Sequence, residues 1–300
     1  VHLGPLTAEL LCRYDELLVA PGITLRDPAF ETAKARGVRI TGDLDYFCDA
    51  SAAPIIAITG SNGKSTVTSL VGQMMRDAGH RAAVGGNIGV PMLDLLADDI
   101  DVYVLELSSF QLERCSQLQA RVACMLNLSE DHLDHHGDMR QYHAAKQRIY
   151  RSCQAAVSNR DDAPTHPLIP DETPHRRFSL RTPEPGDFGL IEQDGQPFLA
   201  AFREPLIAVS ELPFVGQHNW SNALAALAIG SQFGLSMDSM LGSLRDFKPL
   251  PHRCEPLGER AGLRWVNDSK ATNAGAALAA VKGVAARSEE RRVGKECRSR

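Results

Sequence analysis

Several features are scarce in these 300 residues, and each scarcity excludes a class of protein. No apolar run approaches the ~20 residues that a membrane-spanning helix needs, so no membrane partner is expected. Positive charge is not in excess: 32 Lys and Arg against 37 Asp and Glu give a net charge of −5. A nucleic-acid surface would show a basic stripe, so no nucleic-acid partner is expected either. Cysteines number seven, at Cys12, Cys48, Cys115, Cys124, Cys153, Cys254 and Cys297. The count is odd, the spacing wide and no C-x-x-C occurs, which argues against a disulfide framework and a thiolate zinc site and for free thiols in a reducing cytoplasm. The opening residues, Val1-His2-Leu3-Gly4-Pro5, lack the basic region and apolar stretch of a signal peptide. An initiator Met is missing too, and the expectation is a chain that begins inside a longer protein.

What is present is a real core. Hydrophobic residues make up 43% and charged residues 23%, the balance of a soluble globular chain, and the length suits about two domains of ~150 residues. Short apolar runs alternate with amphipathic stretches. Ile55-Ile56-Ala57-Ile58, Val102-Tyr103-Val104-Leu105 and Val122-Ala123-Cys124-Met125-Leu126 predict buried strands. Val67, Leu70, Val71, Met74 and Met75 fall at helical spacing, with Gly79 placed for a C-cap. Helices are also predicted from Met139 to Cys153 and from Gln217 to Phe233. Residues 158–187 read as an irregular excursion, 188–210 as a hairpin turning at Asp194-Gly195, Lys248-Pro249-Leu250-Pro251 as a break, and Leu263 to Asn267 as another strand. The fold class is α/β with a mainly parallel sheet, whose ligands gather at the carboxyl ends of the strands.

The chemistry-bearing residues cluster there. Thr59-Gly60-Ser61-Asn62-Gly63-Lys64-Ser65-Thr66 sits between a strand and a helix and reads as an ATP-binding phosphate loop. Gly60 and Gly63 let the backbone curl so that successive N–H groups face phosphate, and the helix N-terminus adds its dipole. Lys64 is placed for the β- and γ-phosphates and the Ser65 hydroxyl for Mg²⁺. Ile58 stands where the general G-x-x-x-x-G-K-[ST] pattern asks for Gly. Glu106, at the end of the second strand, suits Mg²⁺ as an oxygen ligand; the alternative is a helix N-terminal acid. Asn127-Leu128-Ser129-Glu130-Asp131-His132-Leu133-Asp134-His135-His136 lacks the H-E-x-x-H spacing of a zinc motif. For any one of its histidines a surface role is the default, and Ser129 could be an N-cap. Lys146, read alone, is a surface lysine.

Taken with further blocks, the loop resembles that of the Mur ligases, ATP-dependent amide ligases of peptidoglycan precursor synthesis. Their short T-G-x-N-G-K-[ST] loop has no need of the missing glycine. The other blocks follow in order: Gly86-Asn87-Ile88-Gly89-Val90-Pro91, Glu106-Leu107-Ser108-Ser109-Phe110-Gln111, Asn127 to Asp134, Gly216-Gln217-His218-Asn219-Trp220-Ser221-Asn222-Ala223, Pro251-His252-Arg253 and Asn267-Asp268-Ser269-Lys270-Ala271-Thr272-Asn273. Ser61-Asn62, the last of these blocks and Ala20-Pro21-Gly22-Ile23 most resemble the D-glutamate-adding branch.

The resemblance implies UDP-N-acetylmuramoyl-L-alanine and D-glutamate as substrates, joined through an acyl phosphate. It implies two Mg²⁺ ions, one on Ser65 and Glu106 and a second held with the help of His132 and a carbamylated Lys146. Lys64 would stabilise the transferring phosphoryl group. Gly60, Ser61, Asn62, Gly63 and Thr66 would complete the nucleotide loop, and Asn219, Asn222, Arg253 and Asp268 match positions around adenine, ribose and phosphate. Asn87, Ser108 and His132 would approach the muramoyl substrate, Gly22 its uridine diphosphate, and Lys270 and Thr272 the reacting end.

Three domains are implied: a partial UDP-substrate domain at 1–48 and a central ATPase at 49–249, then the start of an amino-acid domain at 250–286, the outer two Rossmann-like. Residues 287–300 form a charged tail, either a solvated helix or non-native sequence. The expected protein is a cytoplasmic monomer, truncated, binding ATP–Mg²⁺ weakly and without turnover. Rival readings are another Mur ligase, a folylpolyglutamate synthetase-like ligase, and, outside ligases, a phosphate-loop nucleotide switch.

Overall fold

Strands of this sequence are apolar on both sides because both faces of their sheet are covered. The structure is a computed structural model that describes residues 3–214, 216–260, 262–273, 275, 277 and 278. The tail at 287–300 and the end of the 250–286 segment lie outside the described residues. In chain order the elements begin with α1 (Ala8–Leu11), β1 (Glu16–Leu18), α2 (Pro28–Ala35), β2 (Arg39–Thr41) and α3 (Asp43–Ala50). There follow β3 (Ile55–Thr59), α4 (Lys64–Asp77), β4 (Ala82–Gly86), β5 (Val102–Glu106), α5 (Ser109–Arg114), β6 (Val122–Met125), α6 (Leu133–His136) and α7 (Met139–Gln147). The chain continues with β7 (Ala156–Asn159), β8 (His175–Phe178), β9 (Phe188–Gln193), β10 (Gln196–Ala201), β11 (Glu204–Ala208), α8 (Gln217–Phe233), α9 (Met237–Asp246), β12 (Glu255–Arg260) and β13 (Leu263–Asn267).

Nine strands form the main sheet in the order β11-β10-β9-β8-β7-β6-β3-β5-β4. From β4 to β9 neighbours run parallel, and β9, β10 and β11 close the far edge as an antiparallel meander. The two-residue period of a strand sorts its side chains between two cores. Ile56 and Ile58 of β3 point into the cluster that includes Val67, Leu70, Val71 and Met74 of α4 and the Ala/Leu run of α8. Ile55 and Ala57 point the other way, into a cluster with Leu44 and Phe47 of α3, Leu112 of α5 and Tyr150. Each fully buried Ile or Leu contributes about 1.5–3 kcal/mol through removal from water. Gly72 permits the close seating of α4 on β4, since a Cβ there would collide with Val84 Cγ2.

The N-terminal stretch is a parallel β1-α2-β2 unit with its own small core of Leu11, Val19, Leu25, Phe30, Ala33 and Val38. The chain then passes directly into α3, which packs on the main sheet, so this helix runs across the boundary expected at residue 48. Arg114, its side chain wholly buried, donates to the Ile23 carbonyl and ties the small unit to α5. After α9, β12 and β13 pair as an antiparallel hairpin.

Two expectations are corrected. The helix expected from Met139 to Cys153 stops at Gln147 and tightens into a 3-10 turn over Arg148–Tyr150. The Tyr150 hydroxyl accepts from Met125 N–H and faces the carbonyls of Val157 and Thr165, which pulls the chain out of the helix and toward the sheet. The excursion at 158–187 is partly regular, since it holds the end of β7 and all of β8. β8 reads His175-Arg176-Arg177-Phe178, with no apolar alternation. Instead Arg177 pairs with Asp187 and Glu184, and Arg176 lies over the Phe202 ring. The hairpin expected at 188–210 turns at Asp194-Gly195 and gains a third strand, β11.

Candidate active site

Three strands, β3, β5 and β6, deliver their carboxyl ends to one place. β3 runs into Gly60, and α4 begins at Lys64 with Gly63 as its cap in the left-handed region, φ +83°. A Cβ at Gly63 would collide with Asn222 Oδ1, so only glycine lets the loop pass under α8. Not every amide of the loop is free for an anion. Ser61 N–H donates to the Asn127 carbonyl at 3.0 Å and Asn62 N–H to Asn127 Oδ1 at 2.8 Å. The Asn127 amide returns the contact to the Asn62 carbonyl at 3.0 Å. The donors left for phosphate are those of residues 63–66, which open α4 and have no intrahelical acceptor. That refines the expectation that successive N–H groups of the whole loop face phosphate.

Lys64 folds back over the loop and donates to the Gly60 and Ser61 carbonyls, both at 3.0 Å. Burial pulls its pKa below the ordinary lysine value, Glu106 opposes that and Arg253 reinforces it. Ser65 Oγ receives Arg253 Nη2 at 2.7 Å. Thr66 is buried in the first turn of α4. Glu106 is 3% exposed; Asn87 donates to its Oε1 at 2.8 Å, while its Oε2 is buried and without a hydrogen-bond partner among the described residues. An unpaired buried carboxylate oxygen is costly, and a hard divalent cation is the ligand that would satisfy it. Beside the Ser65 hydroxyl, this donor set fits Mg²⁺.

Lys146 is the largest departure from the sequence reading. It is 2% exposed, not a surface residue. Its amine donates to the Gly60 carbonyl at 2.9 Å and Thr59 Oγ1 at 3.2 Å, and stands 4.9 Å from the Tyr142 ring centre. Burial drives its pKa well below the ordinary lysine value, with Lys64 adding to the shift and Asp131 and Glu106 opposing it. Such surroundings favour the neutral, nucleophilic amine over the ammonium. His132 adopts φ +54° at the cap of α6, half-exposed, with Nε2 3.6 Å from Asp131 Oδ2 and its ring 4.9 Å from Phe110. Tyr142 separates it from Lys146, its ring 6.3 Å from that of His132. Tyr142 also meets Ser61 Oγ at 3.0 Å, and burial lifts its pKa to about 12.

The remaining expected residues divide into two groups. Asn219 and Asn222, both buried, share a bond at 3.3 Å on the first turn of α8. Asp268 Oδ1 accepts from Cys254 N–H, next to Arg253. Ser108 caps α5 in a reciprocal pair with Gln111, at the mouth of the site. Gly22 lies in an exposed turn of the N-terminal unit, Thr272 is exposed, and the Lys270 backbone N–H donates to the His252 carbonyl. Four contributors went unassigned in the sequence: Thr59, Asn127, Tyr142 and Asn273. Asn273 donates to Asn62 Oδ1 and Asp131 Oδ2, each at 3.1 Å, and so ties the segment after β13 to the loop. Two of them carried signals, since Tyr142 is four residues before Lys146 on one helix face and Asn127 follows the end of β6.

Comparison with known proteins adds an independent line. The Mur ligase middle domain family matches residues 58–230 and the Mur ligase MurD-like N-terminal domain family residues 1–42. UDP-N-acetylmuramoylalanine--D-glutamate ligase of Pseudomonas aeruginosa is 56% identical over 286 residues, which cover 95% of this chain and 64% of that protein. The same ligase of Acinetobacter baylyi is 51% identical over 284 residues, covering 94% and 63%. The chain thus spans just under two thirds of the length of these relatives. Among solved structures, MurF from Acinetobacter baumannii aligns with a TM-score of 0.62 at 22% identity, over 88% of this chain and 66% of that one. A pseudomurein peptide ligase type C from Methanothermus fervidus aligns with a TM-score of 0.62 at 19% identity, over 92% and 65%. Likeness at that identity supports the fold, an α/β architecture around a large, mostly parallel sheet. No helix among the described residues is long and apolar enough to cross a membrane.

Proposed function

Because the chain belongs to the Mur ligase family, we propose that it serves the ATP-dependent joining of D-glutamate to UDP-N-acetylmuramoyl-L-alanine. In this reading the muramoyl-alanine carboxylate attacks the γ-phosphorus of ATP, ADP leaves, and an acyl phosphate results. The D-glutamate amine then attacks the acyl carbon, phosphate departs, and the amine gives up a proton. Support for D-glutamate comes from relatives at 51–56% identity, whose names specify that amino acid.

Lys64 exchanges the Gly60 and Ser61 carbonyls for the β- and γ-phosphates, and the N–H groups of residues 63–66 hold phosphate oxygens. Ser65 and Glu106 would hold Mg²⁺, with Arg253 turning from the Ser65 hydroxyl to phosphate. The ion supplies charge neutralisation where the transferred phosphoryl group becomes most negative. Asn219, Asn222 and Asp268 serve the nucleoside, Asn87, Ser108 and His132 the muramoyl substrate, Gly22 the uridine diphosphate, and Lys270 and Thr272 the reacting end.

The observation that carries the proposal is the burial of the Lys146 amine against the phosphate loop, which disfavours its charged form. A neutral amine adds to CO₂ with loss of one proton, giving an anionic carbamate whose oxygens, with His132, would hold a second Mg²⁺. As a charged ammonium the same side chain would repel the ion. The domain limits proposed with this function are 1–48, 49–249 and 250–286, in a cytoplasmic monomer.

The test has two arms. Mg²⁺-dependent ATP binding by this chain is expected, and its absence, or its survival in Lys64→Ala, would refute the nucleotide site. Phosphate release is then measured with UDP-N-acetylmuramoyl-L-alanine and a panel of amino acids, on the chain alone and joined to the segments of the Pseudomonas relative that it does not cover. Release with L-alanine, a diamino acid or a dipeptide in place of D-glutamate would overturn the substrate assignment.

A further inference from the structure

Next to the nucleotide site, and using none of its proposed metal ligands, α5 and α6 bring together a carboxylate and two imidazoles. Glu113 comes from α5, and His135 and His136 from α6. One ligand atom from each lies within 4.8 Å of the other two. Glu113 Oε2 is 3.0 Å from His135 Nε2, and His136 Nε2 is 2.9 Å from Ser109 Oγ. The cluster runs from buried to partly exposed: His136 is 2% exposed and the Glu113 side chain 25%.

Adjacent residues on a helix project about 100° apart, so two neighbouring histidines do not ordinarily converge. Here α5 packs into the angle between them. Phe110 lies 4.3 Å from the His135 ring and stacks on that of His136 at 5.5 Å, holding both planes. The donor set is two nitrogens and one carboxylate. Zn²⁺ and its neighbours in the transition series favour that mixture, whereas Mg²⁺ favours oxygen alone. Arg114 Nη1 lies 3.3 Å from the same Glu113 oxygen, so an arriving ion competes with a guanidinium.

We infer that Glu113, His135 and His136 form a binding site for a borderline divalent cation of the Zn²⁺ type, distinct from the oxygen site at Ser65 and Glu106. Three protein ligands leave the last tetrahedral position to water. A bound ion replaces the proton shared by Glu113 and His135 and fastens the end of α5 to α6, whose cap is His132. The inference does not depend on the ligase reading.

Co²⁺ titration of the whole chain in excess Mg²⁺ is the test, read by visible absorption, which is strong only for low-coordinate Co²⁺. One ion per chain is expected. Glu113→Gln and His135→Gln should each weaken it by more than the ~10–100-fold that losing an outer partner costs. Glu106→Gln should leave the spectrum unchanged. Unaltered Co²⁺ affinity in the first two variants, or loss in the third, would overturn the assignment. Imidazole ¹⁵N resonances of the unsubstituted chain cover the case in which a variant does not fold. Zn²⁺ must shift the rings of His135 and His136, and if neither moves the site does not exist.

Discussion

Replacement of Gly63 by Ala tests how tightly the phosphate loop is built. Two costs are legible in the structure. Gly63 sits at φ +83°, and a side chain in the left-handed region costs about 1–2 kcal/mol. The added Cβ would also come closer than 3.0 Å to Asn222 Oδ1, so the amide must retreat by several tenths of an ångström and strain its 3.3 Å bond to Asn219. Losing a buried hydrogen bond of that kind costs about 1 kcal/mol. The sum is about 2–3 kcal/mol. Denaturant unfolding of Gly63→Ala, Asn222→Ala and the double variant separates the two terms. Asn222→Ala alone should cost about 1 kcal/mol. In the double variant the obstruction is gone, so the total should fall short of the summed single effects by about 1 kcal/mol. The backbone cost should remain. Strict additivity, or a Gly63→Ala variant as stable as the parent, would refute the reasoning. ATP affinity should fall in Gly63→Ala and recover only partly in the double variant, because the N–H groups of residues 63–66 are set by the loop conformation.

Three further outcomes follow from the same geometry. With ¹³C-bicarbonate near neutral pH, the native chain should show a carbamate resonance that Lys146→Ala lacks, and short carboxylic acids should restore any activity that variant loses; no adduct in the native chain would remove the carbamate from the mechanism. Glu106→Gln should weaken Mg²⁺-dependent ATP binding by at least ~10-fold without lowering the melting temperature, since it replaces a buried carboxylate whose Oε2 has no partner; a destabilised variant or unchanged binding would contradict this. His175 has its pKa pushed down to about 4, first by burial and then by His166 and Arg177, against ~6.5 when unfolded. Between those values the unfolded chain binds a proton that the folded one does not, so stability is full above pH ~6.5 and falls on acidification toward pH ~4, by about 1–2 kcal/mol once solvent screening of this partly exposed ring is allowed for. A His175→Gln variant should show a flatter acid limb in urea titrations, and an identical limb would exclude His175 as its source.

Much of this molecule was written locally. The parallel core strands announce themselves as short apolar runs because both sheet faces are covered, and α4 and α8 by helical spacing or by an unbroken Ala/Leu run. The phosphate loop is a continuous string of eight residues whose function depends on backbone shape, so glycines and the Lys-Ser pair were enough to identify it. Strand β8 escaped notice because Arg176 and Arg177 are accommodated by Phe202, Glu184 and Asp187, partners that lie outside the strand and meet it only once the chain has turned back. The site divides in the same way. Sequence alone placed Lys64 and Ser65 at the start of the helix that follows β3, and Glu106 at the end of β5. Only the tertiary structure decided that Asn127 consumes two loop amides, that one oxygen of Glu106 is left without a hydrogen bond, and that Glu113 meets His135 and His136. Lys146 marks the division best. On its helix it reads as an ordinary exposed lysine, and the downward pull on its pKa comes from desolvation and from Lys64, neither of which acts until α7 packs against the loop. Burial and through-space charge are properties of the assembled chain, and those properties favour the neutral form of an amine that alone would be a surface cation.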